Sequence, residues 1–129
     1  ITYNVYTNAS QASADAFTWY NLGDRTITLP IGNWVMDMFI QVQYGISADG
    51  AGNRSILAAY STTNNSDALA NARGAAVVAE YIRQGFVWHT FYTITSKTTL
   101  YILSQMEVKV STNTLYNNGV QFNGLCGYL

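Results

Sequence analysis

Residues 29–45 read LPIGNWVMDMFIQVQYG. Every even position from Trp34 to Tyr44 is apolar: Trp34, Met36, Met38, Ile40, Val42 and Tyr44. The odd positions mix Val35 and Phe39 with Asp37, Gln41 and Gln43. A period of two marks a β-strand with one face on a core. Helical spacing from Trp34 would instead bring Asp37 and Gln41 onto the apolar stripe. Pro30 and Gly32 lead into the segment and Gly45 closes it, so it is read as the central strand of a β-sandwich. Its odd face is a mixed surface, of a kind that a neighbouring subunit could half cover.

The same pattern recurs along the chain. Residues 2–7 alternate and predict a first strand, followed by a small polar loop over 8–16. Short strands are expected over 17–20 and Thr26–Leu29, separated by the turn signal Asn21-Leu22-Gly23-Asp24. Residues 47–53 (SADGAGN) form a turn cluster, 54–60 a strand and 61–67 (STTNNSD) a polar loop. Residues 67–85 are ambiguous. Ser66 or Asp67 could cap a helix and Ala is abundant, but Gly74 interrupts and Val77-Val78 favours extended chain. The reading adopted is a loop or one helical turn over 68–73, then a strand over 76–83.

Residues 86–95 (FVWHTFYTIT) are β-rich and bulky on both faces, with Phe86, Trp88, Tyr92 and Ile94 on one side and Val87 and Phe91 on the other. An antiparallel strand facing water on one side should be polar there. A cover from a loop or a neighbouring subunit is therefore expected. Residues 99–110 alternate again, with Leu100, Ile102, Met106, Val108 and Val110 on one face. Asn118-Gly119 predicts a turn over 113–119, and 122–129 the last strand. The total, about eight to ten short strands and at most one short helix, is that of an all-β jelly roll or related two-sheet sandwich.

Composition narrows the function. A chain of 129 residues is one domain, 1–129. Only 10% of it is charged, against about 25% in an ordinary globular domain. Lys occurs only as Lys97 and Lys109. So uncharged an exterior suits a protein–protein interface, or contact with sugars through rings and amides. The net charge of −1 speaks against a nucleic-acid partner, which calls for a basic face. No run of about eighteen apolar residues is present to cross a membrane as a helix. The chain starts at Ile1 rather than Met and shows no signal peptide, so it is read as a processed domain of a longer protein.

Candidate chemistry is sparse. His89 is the only histidine and sits within a crowded strand, as a structural or interface residue. Cys126 is the only cysteine; it excludes an internal disulfide and is expected as a small buried hydrophobe. The carboxylates are scattered, and Asp49 in SADGAGN lacks calcium-loop spacing. Glu107 and Lys109 read as a solvated pair. No nucleophile motif occurs. No catalytic residue, metal or cofactor is predicted, and the domain is expected not to be an enzyme. Arg25, Arg54, Arg73 and Arg83 are the main positive groups and read as surface residues. Were a small polar or anionic ligand bound, Arg54, Arg73 and Arg83 are the candidates by charge. A sugar-binding adhesin would instead use Tyr60, Asn64, Asn65 or Tyr116 on loops.

The closing segments, TTLYILSQMEVKV, STNTLYNNGV and FNGLCGYL, resemble the last strands of the tumour necrosis factor and complement globular-head family. Phe122, Gly124, Leu125 and Tyr128 fill the places of its aromatic-x-Gly-Leu strand, and Pro30, Gly32 and Trp34 match its Pro-x-Gly-x-aromatic strand. The resemblance covers about a third of the chain. Its Asn/Thr-rich, Lys-poor texture is most similar to the knobs that end the tail needles of short-tailed phages. What the resemblance implies is a trimeric jelly roll at the tip of a phage tail, in the virion, contacting a host cell-surface component and assisting envelope penetration and genome delivery. The trimer interface is then expected to use Phe86, Trp88, Phe91, Tyr92, Phe122, Leu125 and Tyr128, with clefts between protomers for a small molecule.

Overall fold

The computed structural model describes residues 2–12, 14–15, 17–45, 54–65, 73–78, 84–106 and 114–127. The strands in chain order are β1 (Thr2–Val5), β2 (Ala9–Ala12), β3 (Thr26–Leu29), β4 (Gly32–Gly45), β5 (Arg54–Ser61), β6 (Arg73–Val78), β7 (Gln84–Ile94), β8 (Thr98–Met106) and β9 (Thr114–Gly127). No described residue is helical. All pairings are antiparallel. One sheet runs β1-β9-β4-β7, with β2 also paired to β9, and the other runs β3-β8-β5-β6.

The strand read from the 29–45 pattern is β4. Its even residues, Trp34 to Tyr44, are all buried, and they meet Ile27 and Leu29 of β3, Ile56, Ala58 and Tyr60 of β5, and Leu100, Ile102 and Met106 of β8 in one core. The period of two thus becomes a division between core and exterior, the physical reason a two-sheet protein needs alternating strands. Burial of each large core side chain, such as fully enclosed Tyr44 or Phe122, contributes about 1.5–3 kcal/mol.

Three sequence expectations give way to tertiary structure. The loop expected over 8–16 contains β2, which pairs with Asn117 to Thr114 of β9 while β1 pairs with Asn123 to Val120. Two short strands thus share one side of a long one. Residues 17–20 form no strand: Phe17 is exposed with φ 58°, and Tyr20 makes only an isolated bridge to Ser104. Asn118-Gly119 does not reverse the chain. It lies inside β9, where the register against β4 slips between Gln41 and Val42, so that Gln41 faces Gly119 and Val42 faces Asn117. The same dipeptide that makes a hairpin turn here makes a β-bulge, because β9 continues into a partner on both sides. Of the ambiguous stretch 67–85, residues 73–78 are the strand β6 and 84–85 begin β7; 67–72 and 79–83 lie outside the described residues, as do Asp49, Glu107 and Lys109.

Arg25 is a fourth correction. It is not a surface residue but almost fully buried. Its Nη1 donates to Oδ1 of Asn117 and its Nη2 to the carbonyl of Thr7, while its own N–H donates to Asn21 Oδ1 at 2.9 Å. Beside it, Asn118 Nδ2 donates to Asn8 Oδ1 at 3.1 Å and Gln43 Oε1 at 3.2 Å. This polar cluster ties the β1–β2 connection to the bulge. Burial pushes the guanidinium below its ordinary range, with the nearby Tyr3 acting in the opposite sense, yet arginine remains charged at any pH a protein survives. Among the described residues no carboxylate pairs with it. Replacing Arg25 with Met removes a buried charge but strands two acceptors. We expect a loss of about 2–3 kcal/mol, measured as a lower urea midpoint with unchanged slope. A variant as stable as wild type contradicts this role.

Candidate interaction surface

The odd residues of β4 point away from the core, and the register places them in rows with β7 and β9. Val35 lies between Phe91 and Leu125, Asp37 between His89 and Asn123, and Phe39 between Val87 and Gln121. The first row is apolar and open to solvent, Phe91 being 82%, Leu125 75% and Val35 42% exposed. Val87, at 57%, extends the apolar area along β7. Side chains this large and this exposed, grouped on β9, β4 and the edge strand β7, exceed the scattered hydrophobics of an ordinary surface.

Local packing holds the face flat and close. Gly85 has no side chain because Phe39 occupies its place: a Cβ there would come within 2.6 Å of the ring. Phe39 is half covered. At the far end of the face an open cavity of about 330 Å³ lies against Asn33, Val35, Phe91 and Thr93. Thr93 Oγ1 donates to Asn33 Oδ1 at 2.8 Å across its rim.

One polar row crosses the apolar field. His89 Nδ1 contacts Asp37 Oδ1, and both side chains are exposed, 72% and 51%. Since a carboxylate oxygen can only accept, Nδ1 carries the hydrogen. The row continues through Asn123, whose Oδ1 accepts from Thr2 Oγ1 at 3.2 Å. Asp37 is the only formally charged residue, apart from a protonated His89, on the described outward positions of β1, β9, β4 and β7.

The expected interface residues divide sharply. Phe91 and Leu125 lie on this face, brought together by Val35. Phe122 does not: it is fully buried in the core opposite Met38. Tyr92 is half-buried and packs against the core. Phe86 and Trp88 sit opposite Ile40 and Met38 in register; their side chains, and Tyr128, lie outside the described residues. Of the residues of the family resemblance, Gly32, Trp34, Phe122 and Gly124 serve packing. Trp34 Nε1 donates to the Pro30 carbonyl at 3.0 Å, and a Cβ on Gly124 would lie 3.1 Å from the Trp34 ring and 3.0 Å from Phe122. Gly32 leaves room for the Cys126 sulfur, with which any Cβ would collide. Cys126 itself is exposed rather than buried as expected, because it stands near the end of β9.

The expected ligand residues are not brought together. Arg54 pairs with Val78 and Arg73 with Ala59, which sets their backbones at opposite ends of the β5–β6 ladder, about 17 Å apart at strand rise; their side chains and all of Arg83 lie outside the described residues. Tyr60 is in the core rather than on a loop, its hydroxyl donating to Thr90 Oγ1 at 3.2 Å and its ring 6.1 Å from that of Tyr92. Asn64 and Asn65 are exposed, but their side-chain oxygens accept from Asn21, Asn64 from its Nδ2 at 3.2 Å and Asn65 from its N–H at 2.8 Å. They fasten one loop to another. Tyr116 lies within β9, facing Ser10 and Gln43 in register. Among the described residues no group of three or more potential metal ligands converges. The chain matches none of the protein-family models, curated proteins or solved structures with which it was compared.

Two predictions follow from this division. Phe91→Ser should leave stability within about 0.5 kcal/mol of wild type, whereas Phe122→Ala should cost about 3–5 kcal/mol; chemical denaturation of the dilute protein distinguishes them, and comparable losses would contradict the assignment. Tyr60 supplies the second. Burial raises its phenol above the ordinary value of 10.0, outweighing the Thr90 hydrogen bond, with Tyr92 adding to the rise. The fold therefore favours the neutral phenol. Its contribution is whole below the unfolded value and is lost as pH rises through the raised folded value. Between pH 8 and 11 stability should fall more for wild type than for Tyr60→Phe, read from denaturation midpoints.

Proposed function

We propose that this domain is a non-enzymatic trimeric knob of jelly-roll type at the distal tip of a phage tail needle or fibre, where it contacts the host surface and assists envelope penetration and genome delivery. The observation that carries the association is the exposed row Leu125–Val35–Phe91 on a face almost free of charge. Such a face is costly to leave in water at about 25 cal/mol per Å² of apolar area, and a copy of the same chain covers it with matching chemistry. Closed symmetry also suits a surface whose outermost strand, β7, is an edge.

The strand order supports the jelly-roll reading. The chain passes from one sheet to the other between β2 and β3, β3 and β4, β4 and β5, β6 and β7, β7 and β8, and β8 and β9. Repeated crossing of this kind winds two sheets together, where a meander would keep neighbours in one sheet. The threefold state and the place on a phage tail follow from the resemblance in residues 29–45 and 98–129, in which Gly32, Trp34, Phe122 and Gly124 are close-packed and the Pro30 carbonyl holds Trp34.

Sedimentation equilibrium tests the association. Three chains per particle are expected at micromolar concentration, and Phe91→Glu should sediment as a folded monomer. A wild-type monomer, or a trimer indifferent to Phe91→Glu, rejects this interface. Adsorption of the intact particle to host cells tests the biological role: loss on removing the knob is expected, and unimpaired adsorption and genome delivery would refute it.

A further inference from the structure

We infer that self-association through this face is coupled to proton uptake at His89, so that mild acid tightens the assembly. The inference rests on the proposed interface and adds its regulation. The Asp37–His89 pair lies between the apolar row of Val35 and Phe91 and the apolar positions Phe39 and Val87. A partner that covers those flanking side chains must also cover the pair.

The chemistry then has a definite sign. In the free protomer both side chains are more than half exposed, and water solvates the Asp37 carboxylate whether or not His89 is charged. Nδ1 donates to that carboxylate, so the proton exchanged with solvent is on Nε2. With His89 neutral, the pair carries one net negative charge into the interface. With His89 protonated it enters as a neutral ion pair, and the attraction between its members strengthens as water leaves. Burying a lone carboxylate costs far more than burying a compensated one. Association is therefore favoured by the protonated form and takes up a proton. Once acid is strong enough to protonate Asp37 as well, the pair becomes a lone cation and the advantage is lost.

Neighbouring groups leave this response to the pair. β7 packs against β4 and β6. In β4 the only charged residue is Asp37, with Tyr44 in the core; in β6 it is Arg73 at the first position; β7 itself adds only Tyr92. β9 brings Tyr116 and Cys126 and no charge, and β1 only Tyr3. His89 is the only histidine of the chain, and histidine is the side chain that ordinarily titrates between about pH 5 and 8.

The test is sedimentation of wild type, His89→Gln and Asp37→Asn at pH 8.0 and 5.5, at matched ionic strength. Wild type should associate about tenfold more tightly per chain at pH 5.5, equivalent to about one proton held ten times more strongly. Both variants should still associate; His89→Gln should show no change between the two conditions, whereas Asp37→Asn, which leaves His89 to enter the interface as a lone cation when protonated, should associate less tightly at pH 5.5. Wild type that associates equally at both pH values, or a His89→Gln protein that keeps the full response, overturns this inference and leaves the interface standing. Wild type that stays monomeric at both pH values overturns the interface and the coupling together.

Discussion

β4 and β9 lie side by side from Asn33 to Gly45 of one and from Gly127 to Thr114 of the other, and almost every other feature is arranged about that pairing. Two long antiparallel strands with one face on the core must present the other outward, because successive side chains alternate. Inward go Trp34, Met36, Met38 and Ile40 together with Phe122 and Val120; outward go Val35, Asp37 and Phe39 together with Leu125, Asn123 and Gln121. Once the core face is committed, the composition of the outer face is not adjustable without changing register, and a slip of one residue would bury Asp37 and expose Trp34. The bulge at Gln41/Val42 shows how closely the register is held. It absorbs one extra residue in β9 so that Leu115 and Val120 both remain in the core.

The glycines and Arg25 serve the same constraint from either end. Gly32 and Gly124 let Cys126 and Trp34 approach where β4 begins and β9 ends. Arg25, at the opposite end of the pair, holds the β1–β2 connection against the bulge through Asn117 and Thr7. A guanidinium with several fixed donors suits this position because it satisfies acceptors on two elements at once, and its lost hydration makes the arrangement sensitive to any partner left unpaired. What remains free is the outer sheet face, rigid because its reverse is packed, and apolar in rows separated by one titratable pair. Rigidity matters for association: side chains held by the sheet lose little further freedom when covered.

Much of the fold was legible along the chain, and the reason is local. Alternation over Trp34–Tyr44 specified a half-buried strand whatever its neighbours, and bulk on both faces of residues 86–95 showed that one apolar face must lie outward without saying which; the structure turns Val87 and Phe91 outward. Signals that depend on context misled. Asn118-Gly119 has the backbone freedom that both a turn and a bulge require, and only the presence of β4 and β1 on either side selects the bulge. Residues 9–12 are too small and polar to declare a strand; they become one because β9 extends an unpaired edge beside them. Arg25 looked like any surface cation until two acceptors, distant in sequence, closed around it.

The candidate surface divides in the same way. Its ingredients, Val35, Phe39, Val87, Phe91 and Leu125, are visible as apolar residues at odd positions of strands. Their meeting is not, because it depends on the register of three strands that are remote in sequence. Phe122 and Leu125 belong to one short motif, yet odd and even spacing sends one into the core and the other to solvent. Asp37 and His89 stand 52 positions apart and nothing in either segment announces the other. By itself the sequence determined the all-β class, the inward face of β4 and the scarcity of charge, since those follow from side-chain period and composition. Tertiary structure alone decided which outward residues share a row, which polar groups are buried together and which aromatic rings stay bare, because each is a property of strand pairing across the sheet and not of any strand alone.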